Sequence, residues 1–404
     1  MTVARNASAA STPGTPGASG GASTSGTASS GWGAAHLAHP GGEHGPVSVV
    51  LVEDSGVERR FLRNAIGAEA GLEVVGEART GRDALALVER LRPSAIVLDL
   101  DLPGMSAIEI IERIMASVPT PILVCSAEGD ADRAAQALAA GAVDVVARPT
   151  AADADRASYA DALRRGVRVA ARVRVITHPR GKLKNRGLIP IVPERLAALG
   201  GRPLPVAREG TVDLIAIGAS TGGPQALAHV LGALPHDFSP AIVVVQHMAD
   251  GFIDGLASWL DGLCALPVGV GASGLRLLPG TVTVAPSARN MIVHDRLRIT
   301  IEKPPATQFH VPGVDATFES VAESIGPRAI GVLLTGMGRD GACGLKAMRD
   351  AGAITIGQDE ESSAVWGMPG AAAAAGAVQR TLPLSEIARS LVAIVLGDPF
   401  GGDR

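Results

Sequence analysis

Leu214-Ile215-Ala216-Ile217-Gly218-Ala219-Ser220-Thr221-Gly222-Gly223-Pro224 decides how the chain is read. An apolar run passes directly into a glycine-rich turn, and Pro224 then opens an apolar-patterned stretch that reaches Leu234. A strand leading through such a turn into a helix is one βα unit, and repeated units build a parallel sheet covered by helices. On a G-x-S-x-G turn a serine hydroxyl stands exposed, and neighbouring backbone N–H groups can face an oxyanion. The same glycines at a helix N-terminus also suit a phosphate, and Ser220 could simply cap the helix. The turn alone leaves all three readings open.

Downstream, the alternation continues. Strands are expected at Val212–Ile217, Ala241–Gln246, Thr281–Ala285, Ala329–Thr335 and Ala353–Ile356. Helices are expected at Pro224–Leu234, Gly255–Leu263, Val314–Ser324 and Gly341–Ala351, around an irregular Gly/Pro-rich stretch near residues 266–312. Ala371–Ala375 reads as a small-residue helix. The strand after the serine turn ends in Gln246-His247-Met248, and a later one in Thr335-Gly336-Met337-Gly338-Arg339-Asp340-Gly341-Ala342. In a parallel sheet all three ends lie on one edge. Ser220, His247 and Asp340 therefore offer a nucleophile, a base and the carboxylate that fixes the base's tautomer. The order Ser–His–Asp departs from the Ser–Asp–His order of α/β-hydrolases, which disfavours that fold.

Upstream, five apolar runs alternate with helical patterns: Val47–Val52, Leu72–Gly76, Ala95–Asp99, Pro121–Cys125 and Ala142–Ala147, with helices such as Val57–Ile66 and Asp83–Leu91 between them. Glu53 and Asp54 follow the first run, Asp99 ends the third, Ser126 follows the fourth and Arg148 the fifth. Three carboxylates at one sheet edge repel one another, and a hard divalent cation such as Mg²⁺ with oxygen ligands relieves that repulsion. A carboxylate beside such an ion is a competent nucleophile towards phosphorus. Ser126 could then donate to a phosphoryl oxygen, and Arg148 could supply positive charge.

Of the first 46 residues, 36 are Ala, Gly, Ser, Thr or Pro, so residues 1–46 read as a disordered tail in which His36, His39 and His44 are solvated. The run Arg164–Arg186 holds nine basic residues and no acidic one, and prolines follow it. It reads as a helix end passing into a linker over 166–211, and without interleaved aromatics it makes a poor nucleic-acid surface. The 404 residues carry 36 basic and 40 acidic side chains, 47% hydrophobic residues and three cysteines. That composition suits a globular protein of two or three domains, without global basicity and without a disulfide framework. No apolar run is long enough to span a membrane, and the N-terminus lacks a signal-peptide core, so a cytoplasmic location is expected.

Residues 47–165 resemble the receiver domain of two-component response regulators, on Val-Glu-Asp-Ser (52–55), Leu-Asp-Leu-Asp-Leu-Pro (98–103) and Ser126. The resemblance implies a flavodoxin-like fold with a parallel five-stranded sheet. It makes Asp99 the acceptor of a phosphoryl group from a CheA-type histidine kinase and Ser126 the switch hydroxyl. It also places Mg²⁺ at the Glu53, Asp54 and Asp99 carboxylates and the backbone carbonyl of Asp101. Arg148 stands where the family has lysine, and Ser106-Ala107 replaces the usual acidic-glycine pair.

Residues 212–395 resemble the catalytic domain of the chemotaxis receptor protein-glutamate methylesterases, the CheB family. The resemblance rests on Ala-Ile-Gly-Ala-Ser-Thr-Gly-Gly-Pro (216–224), Val-Val-Gln-His-Met (244–248), Pro-Gly-Val-Asp (312–315), Leu-Leu-Thr-Gly-Met-Gly-Arg-Asp-Gly-Ala (333–342), Gln-Asp-Glu (358–360) and Gly-Met-Pro (367–369). It implies an α/β domain with a mainly parallel sheet and a Ser220–His247–Asp340 triad. Backbone N–H groups of the Ser220–Gly222 turn (Thr221 and Gly222 among them) and of Met337 would hold the oxyanion. The implied activity is demethylation of glutamyl methyl esters, and deamidation of glutamines, in methyl-accepting chemotaxis receptors, with no cofactor for the esterase step. It further implies that the unphosphorylated receiver covers the active site. Asn290 and Arg339 depart from common family residues away from the triad, and His229, His236, His294 and His310 read as surface or structural. Residues 396–404 are a short tail. The rival reading is a non-enzymatic response regulator whose output domain binds a nucleotide or nucleic acid. It lacks the acidic residue that a ribose-binding fingerprint requires about 20 residues beyond the glycines.

Overall fold

Alternating apolar runs build two parallel sheets. The computed structural model describes residues 46–127, 130–149, 156–173, 212–306 and 308–397. The expectations for the tail through Gly45, its three histidines, the linker from Arg174 to Thr211 and residues 398–404 fall outside those ranges.

The first sheet holds β1 (Val47–Val52), β2 (Leu72–Ala78), β3 (Ala95–Asp99), β4 (Ile122–Ala127) and β5 (Asp144–Arg148) in the order β2-β1-β3-β4-β5, every pair parallel. Its helices are α1 (Gly56–Gly67), α2 (Gly81–Leu91), α3 (Ala107–Ser117), α4 (Ala131–Ala140) and α5 (Arg156–Ala170). Three of them start on a hydroxyl that accepts the N–H of a residue three positions on: Ser55 from Glu58, Thr80 from Asp83 and Ser106 from Glu109. The acidic third residue also complements the helix dipole. Ser106, a departure from the receiver pattern, is thus the cap of α3. Such a cap contributes about 1 kcal/mol.

The second sheet has seven strands, β6 (Leu214–Ala219), β7 (Ala241–Gln246), β8 (Val268–Val270), β9 (Val282–Val284), β12 (Ala329–Leu333), β13 (Ile354–Gln358) and β14 (Arg380–Leu382). They are ordered β14-β13-β12-β6-β7-β9-β8, again all parallel. An antiparallel ribbon of β10 (Asn290–His294) and β11 (Arg298–Glu302) stands apart. The stretch near 266–312 holds β9 where a strand was expected at Thr281–Ala285, and three further short strands, β8, β10 and β11, where it was expected to be irregular. Those three are three to five residues long, too short to print a clear alternation on the sequence.

Helices α6 (Gly223–Gly232), α7 (Ile253–Leu263), α8 (Val314–Ser324), α9 (Ala342–Asp350), α10 (Met368–Ala374) and α11 (Leu384–Val395) cover this sheet. Along β6 the side chains alternate between two cores: Ile215, Ile217 and Ala219 join the one with α6, α7 and α11, while Leu214 and Ala216 join the one with α8, α9 and α10. Burial on both faces explains why the parallel strands read as unbroken apolar runs. From β6 the chain moves outward to β7 on one side and returns through β12 on the other. The strand order reverses at β6, so a crevice opens there at the C-terminal ends of the strands.

Candidate active site and receiver pocket

The crevice receives the three residues expected to act together. Ala219 of β6 pairs with Gln246 of β7, so Ser220 and His247 are the next positions on adjacent strands. The His247 N–H donates to the Ala219 carbonyl at 3.0 Å, extending the ladder by one rung. On the other side Leu333 of β12 pairs with Gly218, and the loop beyond it carries Asp340.

His247 Nε2 lies 2.7 Å from Asp340 Oδ2, with both side chains largely shielded from solvent. Asp340 Oδ2 also accepts the Val314 N–H at 2.8 Å, and Oδ1 accepts those of Asp315 and Gly341 at 3.0 Å each. Burial raises the Asp340 pKa, but the His247 hydrogen bond and charge and these N–H donors outweigh it and hold the carboxyl below its ordinary value. An ionised carboxylate only accepts, so Nε2 carries the proton and Nδ1 of the neutral ring is the basic atom. Nδ1 is buried and has no partner among the described residues. Ser220 Oγ makes no hydrogen bond to His247 among the described residues, so the structure joins imidazole and carboxylate but leaves the hydroxyl unbonded.

Asp340 stands two residues before the helix Ala342–Asp350 but does not cap it. That helix, α9, starts on Gly341 instead, and Asp340 bonds the first two N–H groups of α8, where Gly313 supplies no side-chain cap. In return Asp315 of α8 accepts the Gly344 N–H of α9 at 2.7 Å. Burial first, and then the charge of Asp340, push Asp315 up to about 6.

The serine turn is fixed from below. Gln246 Nε2 donates to the Ser220 and His247 carbonyls, each at 2.8 Å. Thr335 Oγ1 donates to the Thr221 carbonyl at 3.0 Å, and the Gln358 Oε1 accepts the Thr335 N–H at 2.8 Å. Gln246, Thr335, Gln358 and Asp315 were not singled out from the sequence. Their signal was an uncharged or acidic polar residue at a strand or helix end inside the quoted motifs.

The Ser220 N–H donates to the Thr335 carbonyl at 3.0 Å, so it does not face an oxyanion. Of the expected donors, the N–H groups of Thr221, Gly222 and Met337 carry no hydrogen bond among the described residues. Gly222 has φ +74°, where a side chain would be strained, and it precedes the first residue of α6. At Gly336 a Cβ would fall 2.3 Å from Met368 Sδ and 2.7 Å from Ser220 Cβ, so only glycine lets this loop close on the serine. Ser220 does not cap α6, whose N-cap is Gly222. His310 stacks on His247, with ring centroids 4.8 Å apart and planes 11° apart. His294 bonds Thr300 at the surface, and neither His229 nor His236 is buried. Asn290 bonds Gln308 and the Gly313 N–H, and Arg339 is exposed.

In the receiver, oxygens of Glu53, Asp54 and Asp99 lie within 4.8 Å of one another. Glu53 and Asp99 are buried, while Asp54 is exposed. Arg148 reaches Asp99 at 2.5 Å and stands 3.8 Å from Glu53 and from Asp101. Burial, then the neighbouring Asp99 charge, push Glu53 up to about 7, and burial raises Asp99 despite Arg148. One Glu53 oxygen is buried without a hydrogen bond. This all-oxygen, charge-stressed donor set fits a hard divalent cation. Ser126 is fully buried, and among the described residues its hydroxyl has only a long 3.4 Å contact to the Ala127 carbonyl. The Asp101 carboxylate is held by Arg133 at 2.6 Å.

The two domains meet through α4. Gln225 of α6 donates to the Leu138 and Ala142 carbonyls, at 2.5 and 3.3 Å. Phe252, just before α7, is buried among receiver side chains, and a Cβ on Gly255 would lie 2.3 Å from the Ala131 carbonyl. No helix among the described residues is long and apolar enough to cross a membrane.

The family model described as CheB methylesterase matches residues 215–391, and the response regulator receiver domain model matches 49–157. The protein-glutamate methylesterase/protein-glutamine glutaminase 3 of Paramagnetospirillum magneticum is 44% identical over 87% of this chain and 96% of its own. Number 2 of Anaeromyxobacter dehalogenans is 42% identical over 86% of this chain and 96% of its own. With a receiver fold before a seven-stranded domain whose strand ends gather serine, histidine and aspartate, the chain belongs to the CheB family of protein-glutamate methylesterase/protein-glutamine glutaminases.

Proposed function

We propose that the chain is a phosphorylation-regulated serine hydrolase of the cytoplasm. It removes methyl groups from glutamyl γ-methyl esters of methyl-accepting chemotaxis receptors and deamidates selected receptor glutamines. The observation that carries this reading is the buried, unpartnered Nδ1 of His247, whose other nitrogen is tied to an ionised Asp340 beside the serine turn. Ser220 Oγ attacks the ester carbonyl while Nδ1 takes its proton. The oxyanion is met by the free N–H groups of Thr221, Gly222 and Met337, which act without reorganising. His247 then returns the proton to departing methanol and draws one from water, which releases the glutamate. With glutamine the leaving group is ammonia. Contact between hydroxyl and imidazole that is open without substrate commonly tightens in the complex.

In the receiver, Glu53, Asp54, Asp99 and the Asp101 carbonyl would hold Mg²⁺, which when bound supplies charge neutralisation at the phosphoacceptor. Asp99 accepts the phosphoryl group from a CheA-type histidine kinase, Ser126 donates a hydrogen bond to it, and Arg148 moves from the Asp99 carboxylate to pair with it. The α4 face that grips Gln225 and Phe252 is the surface through which the receiver restrains the hydrolase. The nucleotide- or nucleic-acid-binding alternative gains no support, since the glycines of the turn lie packed against Val314, Ala364 and Gln246. Methanol release from methylated receptor membranes tests the reading: wild type should release it and Ser220→Ala should lose more than about a thousandfold in rate. Equal release by both would overturn it.

A further inference from the structure

The His247 ring makes one hydrogen bond among the described residues. Its bond to Asp340 fixes where Nε2 sits. It does not fix the plane of the ring, and Nδ1 has no partner to do so. A swing about that single bond would carry the basic lone pair away from the serine hydroxyl. Something else must set the plane.

One ring lies against the His247 face, and it belongs to an exposed residue. His310 lies nearly parallel to His247, 4.8 Å between centroids, yet its residue is open to solvent, so no demand for core filling places it there. The segment around it is tied down on both sides. Gln308 Nε2 donates to the His310 carbonyl at 2.5 Å and to Asn290 Oδ1 at 3.0 Å, and Asn290 Nδ2 returns a bond to Gln308 Oε1 at 2.8 Å. Asn290, buried on β10, also accepts the Gly313 N–H at 2.9 Å. A reciprocal amide pair thus anchors residues 308–313 from the separate β10–β11 ribbon.

We propose that His310 is a positioning residue of the hydrolase site: its ring is the plate that fixes the plane of the His247 imidazole, and the Asn290–Gln308 amide pair sets that plate. The proposal rests on the hydrolase reading given above. Partial burial of the ring, the adjacent His247 and the Arg165 guanidinium of the receiver lower the His310 pKa despite the pull of Asp340. A neutral ring does not oppose the imidazolium that forms on His247 during the reaction, and its π face favours that cation.

Two variants separate this role from others. With methylated receptor, His310→Ala should lower kcat about ten- to a hundredfold, the cost of a loosened reacting group, with KM changed less than about twofold. His310→Phe keeps a flat ring without nitrogens and should recover kcat to within about threefold of wild type, a smaller loss than one tenfold step. The rate at which a fluorophosphonate labels Ser220, which needs no receptor, should follow the same order. Wild-type kcat in His310→Ala would overturn the proposal. So would His310→Phe as slow as His310→Ala, because the ring nitrogens would then matter, or a loss confined to KM, which would mean substrate contact. Wild-type enzyme that releases no methanol and takes no label would instead sink the hydrolase reading itself.

Discussion

Asp340 and Asp315 exchange roles across a helix pair. Asp340 caps α8 and Asp315 bonds α9, so each carboxylate stabilises the helix that the other residue adjoins. Their pKa values are driven apart. Asp340 has several N–H donors and His247, which keep it charged, whereas burial and a negative neighbour raise Asp315 to about 6 against its single Gly344 donor. An acid whose folded value lies above its unfolded one binds protons on folding. Its charge therefore costs stability progressively as pH rises from about 4 towards about 6. Asp340 contributes in the opposite sense: its stabilisation is present at neutral pH and is lost only as pH falls through its depressed value. Asp315→Asn keeps an acceptor for Gly344 but removes the charge. Its urea midpoint relative to wild type should rise between about pH 4.5 and pH 7.5, and an unchanged difference would show that folding does not raise the Asp315 carboxyl.

At the scale of elements, the site depends on one loop closing over one turn. The segment after β12 places Gly336 where a Cβ would meet both Met368 Sδ and Ser220 Cβ, and Thr335 bonds the Thr221 carbonyl. Gly336→Ala should therefore shift the serine by several tenths of an ångström and cut ester hydrolysis about a hundredfold, the scale that such misplacement carries. The receiver sheet does not contain this loop, so phosphorylation of Asp99 by acetyl phosphate should persist in the variant. Loss of both activities would indicate general unfolding. The motif containing Gly336 was visible in the sequence, and so were the strands leading into it. The short strands β8, β10, β11 and β14 were not, because three to five residues carry too little periodicity to compete with nearby Gly and Pro. That omission concealed the ribbon that anchors Asn290 and, through Gln308, His310.

At the scale of the whole molecule, receiver and hydrolase meet at α4, where polar and apolar contacts lie side by side. Two carbonyls at the end of α4 accept from Gln225, and Phe252 enters the receiver core. Arg133 of α4 also bonds the Leu100 carbonyl and pairs with Asp101, two residues from Asp99, the proposed phosphoacceptor. New charge at Asp99 can thus reach the docking helix through residues already in contact, and a two-state docking equilibrium shifts by the difference in contact energy. Gln225→Ala removes two hydrogen bonds on the docked side only. Each is worth about 1 kcal/mol, so the unphosphorylated rate of methanol release should rise severalfold while the rate after acetyl phosphate and Mg²⁺ stays near wild type. An unchanged unphosphorylated rate would show that this contact does not restrain the enzyme.

The sequence by itself determined the strand–helix alternation, both parallel sheets and the strand ends that carry the serine, histidine, aspartate and acidic groups. Those follow from local apolar runs and glycine turns, whose spacing is a property of the chain alone. Only the tertiary structure decided which partner each polar atom took. It assigned Asp340 to the helix before it instead of the one after, turned the Ser220 N–H inward to Thr335, and laid His310 on His247. Hydrogen bonds and ring contacts between residues dozens of positions apart depend on how elements pack, and nothing in the local pattern of either partner records that packing.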